Sequence, residues 1–186
     1  KKVIPFYNLD KKITGESINS KINKIIKHIK YQNIDNIFIS APENVAWLLN
    51  LRGEDNPNSP IPNCKLILTK QKKIFFFSCP KKIFKMKKLN QYKILKFSNY
   101  QDFEKIIENL GGINFCIDRS TCSVSNENVI KSFFKIKSNV DPIYKFKSLK
   151  NKIEIKNMID THVSDGAALT KFIYWIKEIN KKKITE

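Results

Sequence analysis

Isoleucines recur every three or four residues in the N-terminal part of the chain. Between Ser17 and Lys30 they mark one face of a helix whose other face carries lysines: Ile18, Ile22, Ile25, Ile26 and Ile29. This period is typical of an amphipathic helix that packs against a core. Residues 1–15, which precede it, contain Pro5 and show no regular period, and we interpret them as a linker.

Short apolar segments of strand length follow this helix. Asn36–Ser40 is the first, and Lys65–Thr69 and Lys73–Ser78 are joined by a tight polar turn, which predicts a hairpin. Strands and helices then alternate: strands at Lys93–Phe97 and Ile113–Asp118, helices at Asp102–Asn109 and Ser125–Phe134, and a turn or short strand at Lys137–Pro142. This order predicts the α/β class, with a mixed β-sheet flanked by helices.

The segment APENVAWLLNLRG, residues Ala41–Gly53, predicts a helix that is apolar on nearly every side. Ser40 and Glu43 have the spacing of a capping box, so we expect the helix to begin at about Ala41 and to end at Gly53. A helix with so few polar positions must be enclosed by the rest of the domain. Three prolines follow within Gly53–Asn63, which indicates a long irregular loop of the kind that often carries function.

Lysine dominates the basic residues of the chain. The formal net charge is +18, yet there are only two arginines, Arg52 and Arg119. Together with abundant isoleucine and asparagine, this composition is typical of an AT-rich genome. In such a sequence, a position that needs only a positive charge can be lysine. Arg52 is therefore a candidate for carboxylate recognition, because a planar guanidinium suits a carboxylate better than an ammonium group does. The alternative is that Arg52 donates to backbone carbonyls at the end of its own helix.

The positive charge also suggests nucleic-acid binding, with Phe75, Phe76, Phe77 and Tyr92 as stacking surfaces for a single strand. The alternative is that these rings fill the core, in which case binding through dispersed lysines is non-specific. The four cysteines form no C-x-x-C pair, so we expect reduced thiols of a cytoplasmic protein and no zinc site. No stretch approaches the roughly 20 apolar residues of a membrane-spanning helix, and no membrane partner is expected.

The last predicted helix, Lys150–Asn180, is long for the domain before it. Its apolar stripe continues for about eight turns and includes Ile155, Met158, Leu169, Phe172 and Ile176. At ~1.5 Å per residue the helix measures about 45 Å, more than the width of a compact domain of ~140 residues. We therefore expect this helix to open a second domain that is truncated in the chain.

Two stretches of the chain resemble the long-form Xaa-Pro aminopeptidases. Glu43–Thr69, with AWLLNLRG followed by an acidic residue and prolines, is similar to their middle, creatinase-like domain. Ser148–Glu178, with KNKIEI and HVSDGAAL, resembles the helix that begins their pita-bread catalytic domain, although Thr161 and Ser164 stand where the family usually has Ala and Arg. Thr14–Ile25 fits the family's entry to the middle domain.

The resemblance implies a creatinase-like, ribonuclease-H-like domain at residues 16–148 and a truncated catalytic domain at residues 149–186. Family members remove an N-terminal residue that precedes proline, using a water activated by two metal ions, commonly manganese. Their metal ligands are two Asp, one His and two Glu in motifs deep in the catalytic domain, and this chain contains none of those motifs. We therefore expect no cofactor and no activity in this chain alone, and two manganese ions in the full-length parent.

The resemblance also implies a place for the proline-containing loop. In this family the non-catalytic domains pack near the catalytic cleft, sometimes across a dimer, which makes Arg52, Glu54 and Asp55 candidates for a substrate cleft or an interdomain contact. The expected partners are the missing catalytic domain and a second copy in a homodimer, in the cytoplasm. Two alternatives stay open: a basic single-stranded nucleic-acid-binding module, or an interaction module retained after loss of the enzyme domain.

Overall fold

The computed structural model describes residues 3–179, and the chain divides into two compact units, Lys1–Leu149 and Lys150–Glu186. The strands are β1 (Tyr7–Asn8), β2 (Asn36–Ile39), β3 (Leu51–Arg52), β4 (Lys65–Thr69), β5 (Ile74–Phe77), β6 (Leu95–Ser98), β7 (Asn114–Ile117) and β8 (Lys135–Ser138). The α-helices are α1 (Lys11–Thr14), α2 (Ile18–Tyr31), α3 (Pro42–Leu48), α4 (Pro80–Ile83), α5 (Phe103–Glu108), α6 (Val124–Lys131), α7 (Pro142–Ser148) and α8 (Lys152–Glu178). Single-turn 3-10 helices lie at Met86–Lys88, Asn90–Tyr92 and Tyr100–Asp102.

Six strands form one mixed sheet in the order β6-β5-β4-β2-β7-β8. Strand β4 runs antiparallel to β2 and β5, and the other neighbouring pairs are parallel. The β4–β5 pair is the predicted hairpin, and Lys72 takes the left-handed conformation in its turn. The predicted α/β class with a mixed sheet is confirmed.

The sheet buries apolar side chains on both faces because successive residues of each strand point to opposite sides. Leu66 and Leu68 of β4 belong to one core cluster, whereas Ile67 between them belongs to the other. The first cluster includes the predicted isoleucine face of α2, and the second includes Phe103 of α5 and Ile130 of α6. Helices therefore cover both faces of the sheet.

Helix α3 begins within one residue of the predicted position, but without the predicted cap. Its N-terminal cap residue, Ala41, has no side-chain hydrogen bond to the helix. The Ser40 hydroxyl instead lies 2.7 Å from Thr121 Oγ1, and Glu43 accepts a hydrogen bond of 2.8 Å from Tyr144 OH. The predicted capping box is therefore wrong, because both of its side chains bind distant parts of the domain.

Helix α3 also ends earlier than predicted. Its last residue is Leu48, and Asn50 has a left-handed backbone with φ of 50°, which redirects the chain. Leu51 and Arg52 then form β3, which pairs antiparallel with β1 in a separate two-stranded sheet. The prediction that the helix continues to Gly53 is wrong, and Arg52 lies on a strand.

Asp141 and Pro142, predicted to be part of a turn or short strand, begin helix α7 instead. Asp141 Oδ1 accepts a hydrogen bond of 2.9 Å from Ile143 N, and Pro142 is the first helical residue. An Asp-Pro pair favours both turns and helix starts, so its local pattern does not separate the two outcomes.

Helix α8 starts with a complete capping box. The Asn151 side chain accepts from the backbone N–H groups of Ile153 and Glu154 at 3.0 Å, and Glu154 accepts from Asn151 N at 2.9 Å. None of its residues is buried, and Asn180, the predicted last residue, lies outside the described residues. Within residues 3–179, no helix has the length and apolar content needed to cross a bilayer.

Candidate functional site

A buried lysine holds the turn through which the chain enters the candidate site. Lys21 of α2 is 1% exposed, and its Nζ donates to Trp47 O at 2.8 Å and to Asn50 Oδ1 at 2.7 Å. The same ammonium lies 4.1 Å from the centroid of a Trp47 ring. Asn50 Nδ2 donates to Glu16 O at 2.9 Å. These bonds fix the direction in which β3 leaves α3. The sequence signal for this role is the position of Lys21 on the isoleucine face of α2, three residues after Ile18 and four before Ile25.

Arg52 is half-buried on β3, where it is the cross-strand partner of Tyr7. Its Nη1 donates to Leu51 O at 2.8 Å, and this is the one hydrogen bond that the guanidinium forms within residues 3–179. Burial lowers the pKa of Arg52 from its ordinary value, and the nearby Tyr7 opposes that shift. Because a guanidinium has five N–H donors, most of them have no partner in the described part of the chain.

The loop Gly53–Asn63 is braced from within by Asp55. The Asp55 carboxylate accepts from Asn63 N at 2.6 Å and forms an ion pair with Lys82 of α4. At the other end of the loop, a Cβ added to Gly53 would lie 2.9 Å from an atom of the Phe6 ring, so the backbone packs too closely for a larger residue. The loop is therefore held at both ends.

The three candidate site residues have different surroundings. Arg52 bonds to the backbone, Asp55 braces its own loop, and Glu54 is exposed with no hydrogen bond or ion pair in the described residues. No bond within residues 3–179 joins Arg52 to either carboxylate. Lys82 was not among the candidates, and its position in a run of lysines gave no signal of its pairing with Asp55.

A second polar cluster lies where β7 ends. Asp118 accepts from Ser120 N at 3.0 Å and from Asp141 N at 2.9 Å, as expected of a strand-end residue that satisfies loop amides. Burial opposes the ionisation of Asp118, but hydrogen bonds from Ser120 and the Asp141 backbone outweigh it and lower the pKa of Asp118. Burial raises the pKa of Asp141, which accepts from Asn44 Nδ2 at 2.8 Å. These bonds attach α7 to the sheet.

In the described part of the chain, the cysteines and carboxylates do not form a metal centre. Cys64 and Cys116 are buried, and burial raises the pKa of the Cys116 thiol to about 11 and that of Cys64 further. Across residues 3–179, no three His, Cys, Asp or Glu side chains are grouped so that they could hold a metal ion. The described residues therefore do not fit a metal site, and we derive no metal-dependent step for them.

Comparison with known proteins identifies the domain. The family model of the creatinase/prolidase N-terminal domain matches residues 2–154. The chain belongs to this family. The resemblance noted for Glu43–Thr69 is thereby confirmed, as is the creatinase-like fold.

Individual relatives agree with this assignment. Xaa-Pro aminopeptidase 1 of Dictyostelium discoideum is 30% identical over 172 residues, which is 91% of this chain and 27% of the relative. The crystal structure of the Caenorhabditis elegans X-prolyl aminopeptidase, described as a cytosolic enzyme with a di-nuclear active site, matches 94% of this chain and 29% of its own with a TM-score of 0.82 and 21% identity. The Pyrococcus furiosus prolidase has a TM-score of 0.56 over 83% of this chain and 42% of its own, with 22% identity.

The matches cover one region of relatives that are much longer than this chain. It spans less than a third of the Dictyostelium and C. elegans proteins. The chain resembles the N-terminal domain of Xaa-Pro aminopeptidases, and it carries the creatinase-like fold of that domain.

Proposed function

We propose that this chain serves as a non-catalytic, creatinase-like domain of a Xaa-Pro aminopeptidase, continued by the first helix of the catalytic domain. The family match over residues 2–154 and the similarity to named Xaa-Pro aminopeptidases support the proposal. The parent enzyme removes an N-terminal residue that precedes proline and acts in the cytoplasm. Two manganese ions in its catalytic domain would supply the water nucleophile.

In this proposal Arg52 and the braced loop face the catalytic cleft or an interdomain interface. The observation that carries it is the Arg52 guanidinium, which is half-buried and bonds only to Leu51 O within the described chain. A guanidinium in this state can bind a carboxylate of another domain or of a peptide through two parallel hydrogen bonds. Glu54, two residues further along, is exposed and available to a cationic group of a partner.

Asp55 has a supporting role in the same proposal. Because its carboxylate bonds to Lys82 and to Asn63 N, Asp55 holds the loop shape. The groups that this leaves for an intermolecular or interdomain contact are the exposed Glu54 and the half-buried Arg52. The expected partners of this surface are the catalytic domain and, in a homodimer, a second subunit.

The test uses the complete product of the gene that encodes this chain. Arg52→Ala should lower kcat/KM for an Arg-Pro-Pro peptide by about tenfold, the loss typical of one charged hydrogen-bonded contact. Arg119→Ala is the matched control, because Arg119 pairs with Glu127 on the exposed surface and should leave the kinetics unchanged. Equal effects of the two substitutions, or none from Arg52→Ala, would contradict a role for Arg52 at the cleft or interface.

Nucleic-acid binding is less well supported by the geometry. Phe76, Phe77 and Tyr92 are fully buried in the two core clusters, so these three predicted stacking surfaces cannot contact bases. Phe75 is half-buried, and Lys96 Nζ lies 5.4 Å from the centroid of its ring. Binding through the remaining lysines would neutralise phosphates without distinguishing bases.

A further inference from the structure

Carboxylates are absent from a long continuous part of the chain. From Asn56 to Gln101, 46 consecutive residues contain eleven lysines and no Asp or Glu. The codon bias of an AT-rich genome adds lysines along the whole chain, but it does not remove carboxylates from one stretch. Within residues 3–179, only Lys70 and Lys82 of these eleven lysines form an ion pair. The segment therefore presents positive charge that its own domain leaves unneutralised.

Strand β6, at the end of this segment, is an edge of the six-stranded sheet. In the described chain it pairs with β5 alone, so one side of its backbone carries peptide groups without a strand partner. Lys96 is exposed in the middle of β6, and Lys93 is exposed just before it. Lysines at an edge oppose pairing with a second copy of the same strand, because like charges would then face each other.

A groove of about 430 Å³ runs beside this edge. Half-buried Phe75 and Phe97 line it together with Ile106 and Lys105 of α5, and Asp102 is the one carboxylate among its lining residues. The groove therefore combines an apolar floor with lysines next to an unpaired backbone. Peptides that extend a sheet use these features: main-chain hydrogen bonds for affinity and pockets for alternate side chains.

We propose that β6 binds an extended acidic segment of a partner protein as an additional strand. Side chains alternate along an added strand, so its carboxylates would lie on the face of Lys96 and Phe75, and its apolar side chains on the opposite face, beside Phe97 in the groove. Charge complementarity favours an acidic strand over a second copy of this chain. The unpaired backbone favours a polypeptide over nucleic acid, because a nucleic acid has no peptide groups to pair with the strand.

The test measures binding of a labelled ten-residue peptide of alternating Glu and Val to the whole 186-residue chain by fluorescence anisotropy. Saturable binding is expected, and Lys96→Glu should weaken it about tenfold, since one favourable cross-strand pair becomes a repulsive one. Lys131→Glu is the matched control: Lys131 is exposed on α6, the change in net charge is identical, and binding should change less than about twofold.

A second peptide separates strand pairing from simple charge attraction. The same sequence methylated on its backbone nitrogens keeps every carboxylate but loses its donors, and it should bind at least about tenfold more weakly. Four outcomes would overturn the proposal: no saturable binding up to about 1 mM peptide, equal weakening by Lys96→Glu and Lys131→Glu, undiminished binding of the methylated peptide, or tighter binding of an oligothymidine of ten nucleotides.

Discussion

Asp35 joins two separate loops of the α/β unit. Its Oδ2 accepts from the backbone N–H groups of Ile113 at 2.8 Å and Asn114 at 2.9 Å, and its Oδ1 forms an ion pair with Lys70. The hydrogen bond from Lys70, aided by the Asn114 N–H, lowers the pKa of Asp35 to about 2. The ionised carboxylate is therefore the form that stabilises the fold.

The pH dependence follows from this shift. Because the folded-state pKa lies below the ordinary value of 3.8, the contribution of Asp35 is complete above about pH 4 and is lost as the pH falls toward 2. Asp35→Asn should cost about 1–2 kcal/mol of unfolding free energy at pH 7 and should reduce the loss of stability between pH 4 and 2. Urea unfolding across this pH range measures both effects. Glu108→Gln, an exposed control on α5, should change neither.

Two adjacent glycines give a sharper test of the same contact. Gly112 has φ of 107°, and an added Cβ would lie 2.5 Å from Asp35 Cβ, whereas a Cβ on Gly111 meets nothing within 4 Å. Gly112→Ala should therefore destabilise the chain by about 1–3 kcal/mol through backbone strain and displacement of Asp35. Gly111→Ala should change the urea midpoint little. Equal unfolding curves for the two variants would show that Asp35 is not packed against this turn.

Lys21 connects helix α2 to the turn between α3 and β3. Lys21→Met removes the donor that Trp47 O and Asn50 Oδ1 share, and it should cost about 2–4 kcal/mol of unfolding free energy. Lys24→Met, one turn away, breaks an ion pair with Glu16 in which Lys24 is half-exposed, and it should cost less than about 1 kcal/mol. Chemical denaturation of the two variants compares them directly. A smaller loss for Lys21→Met than for Lys24→Met would contradict this account of the turn.

The main elements were predictable where the hydrophobic pattern was strong. The isoleucine period marks α2, and the runs around Lys65–Thr69 and Ile74–Phe77 mark the hairpin, since both signals are local. Strand β3 was missed because two residues carry no period and its pairing with Tyr7 joins distant parts of the chain. The predicted capping box is wrong for a related reason, because a local pattern cannot reveal a long-range contact. The Ser40 hydroxyl forms a hydrogen bond with Thr121, 81 residues further along the chain.

The exposed apolar stripe of α8 predicts self-association of the chain. Phe172 is 53% exposed, Ile176 is 38% exposed, and each such side chain gains roughly 1.5–3 kcal/mol when it is buried. We expect the chain to self-associate through this stripe, and Phe172→Glu with Ile176→Glu should abolish association in light scattering while leaving the urea midpoint unchanged. Lys171→Glu is the control and should leave association intact. If the double variant unfolds the chain, these two side chains belong to a folded core.

At the scale of the whole molecule, the family was recognisable from sequence but the site was not. The AWLLNLRG motif and the prolines that follow it lie in one continuous stretch, so the family can be recognised without knowledge of the fold. The surroundings of Arg52 depend on Tyr7 and those of Asp55 on Lys82, and neither neighbour is close in sequence. Whether Arg52, Glu54 and Asp55 contact a second domain stays a prediction.

Our central proposal is that this chain serves as a non-catalytic domain of a Xaa-Pro aminopeptidase. The most direct measurement is release of the N-terminal residue from an Arg-Pro-Pro peptide in the presence of manganese, with the 186-residue chain and the complete product of its gene assayed side by side. The account predicts rapid release by the complete product and no release by the chain above a metal-only control. Hydrolysis by the chain alone, or a folded, manganese-loaded complete product that leaves the peptide intact, would contradict it.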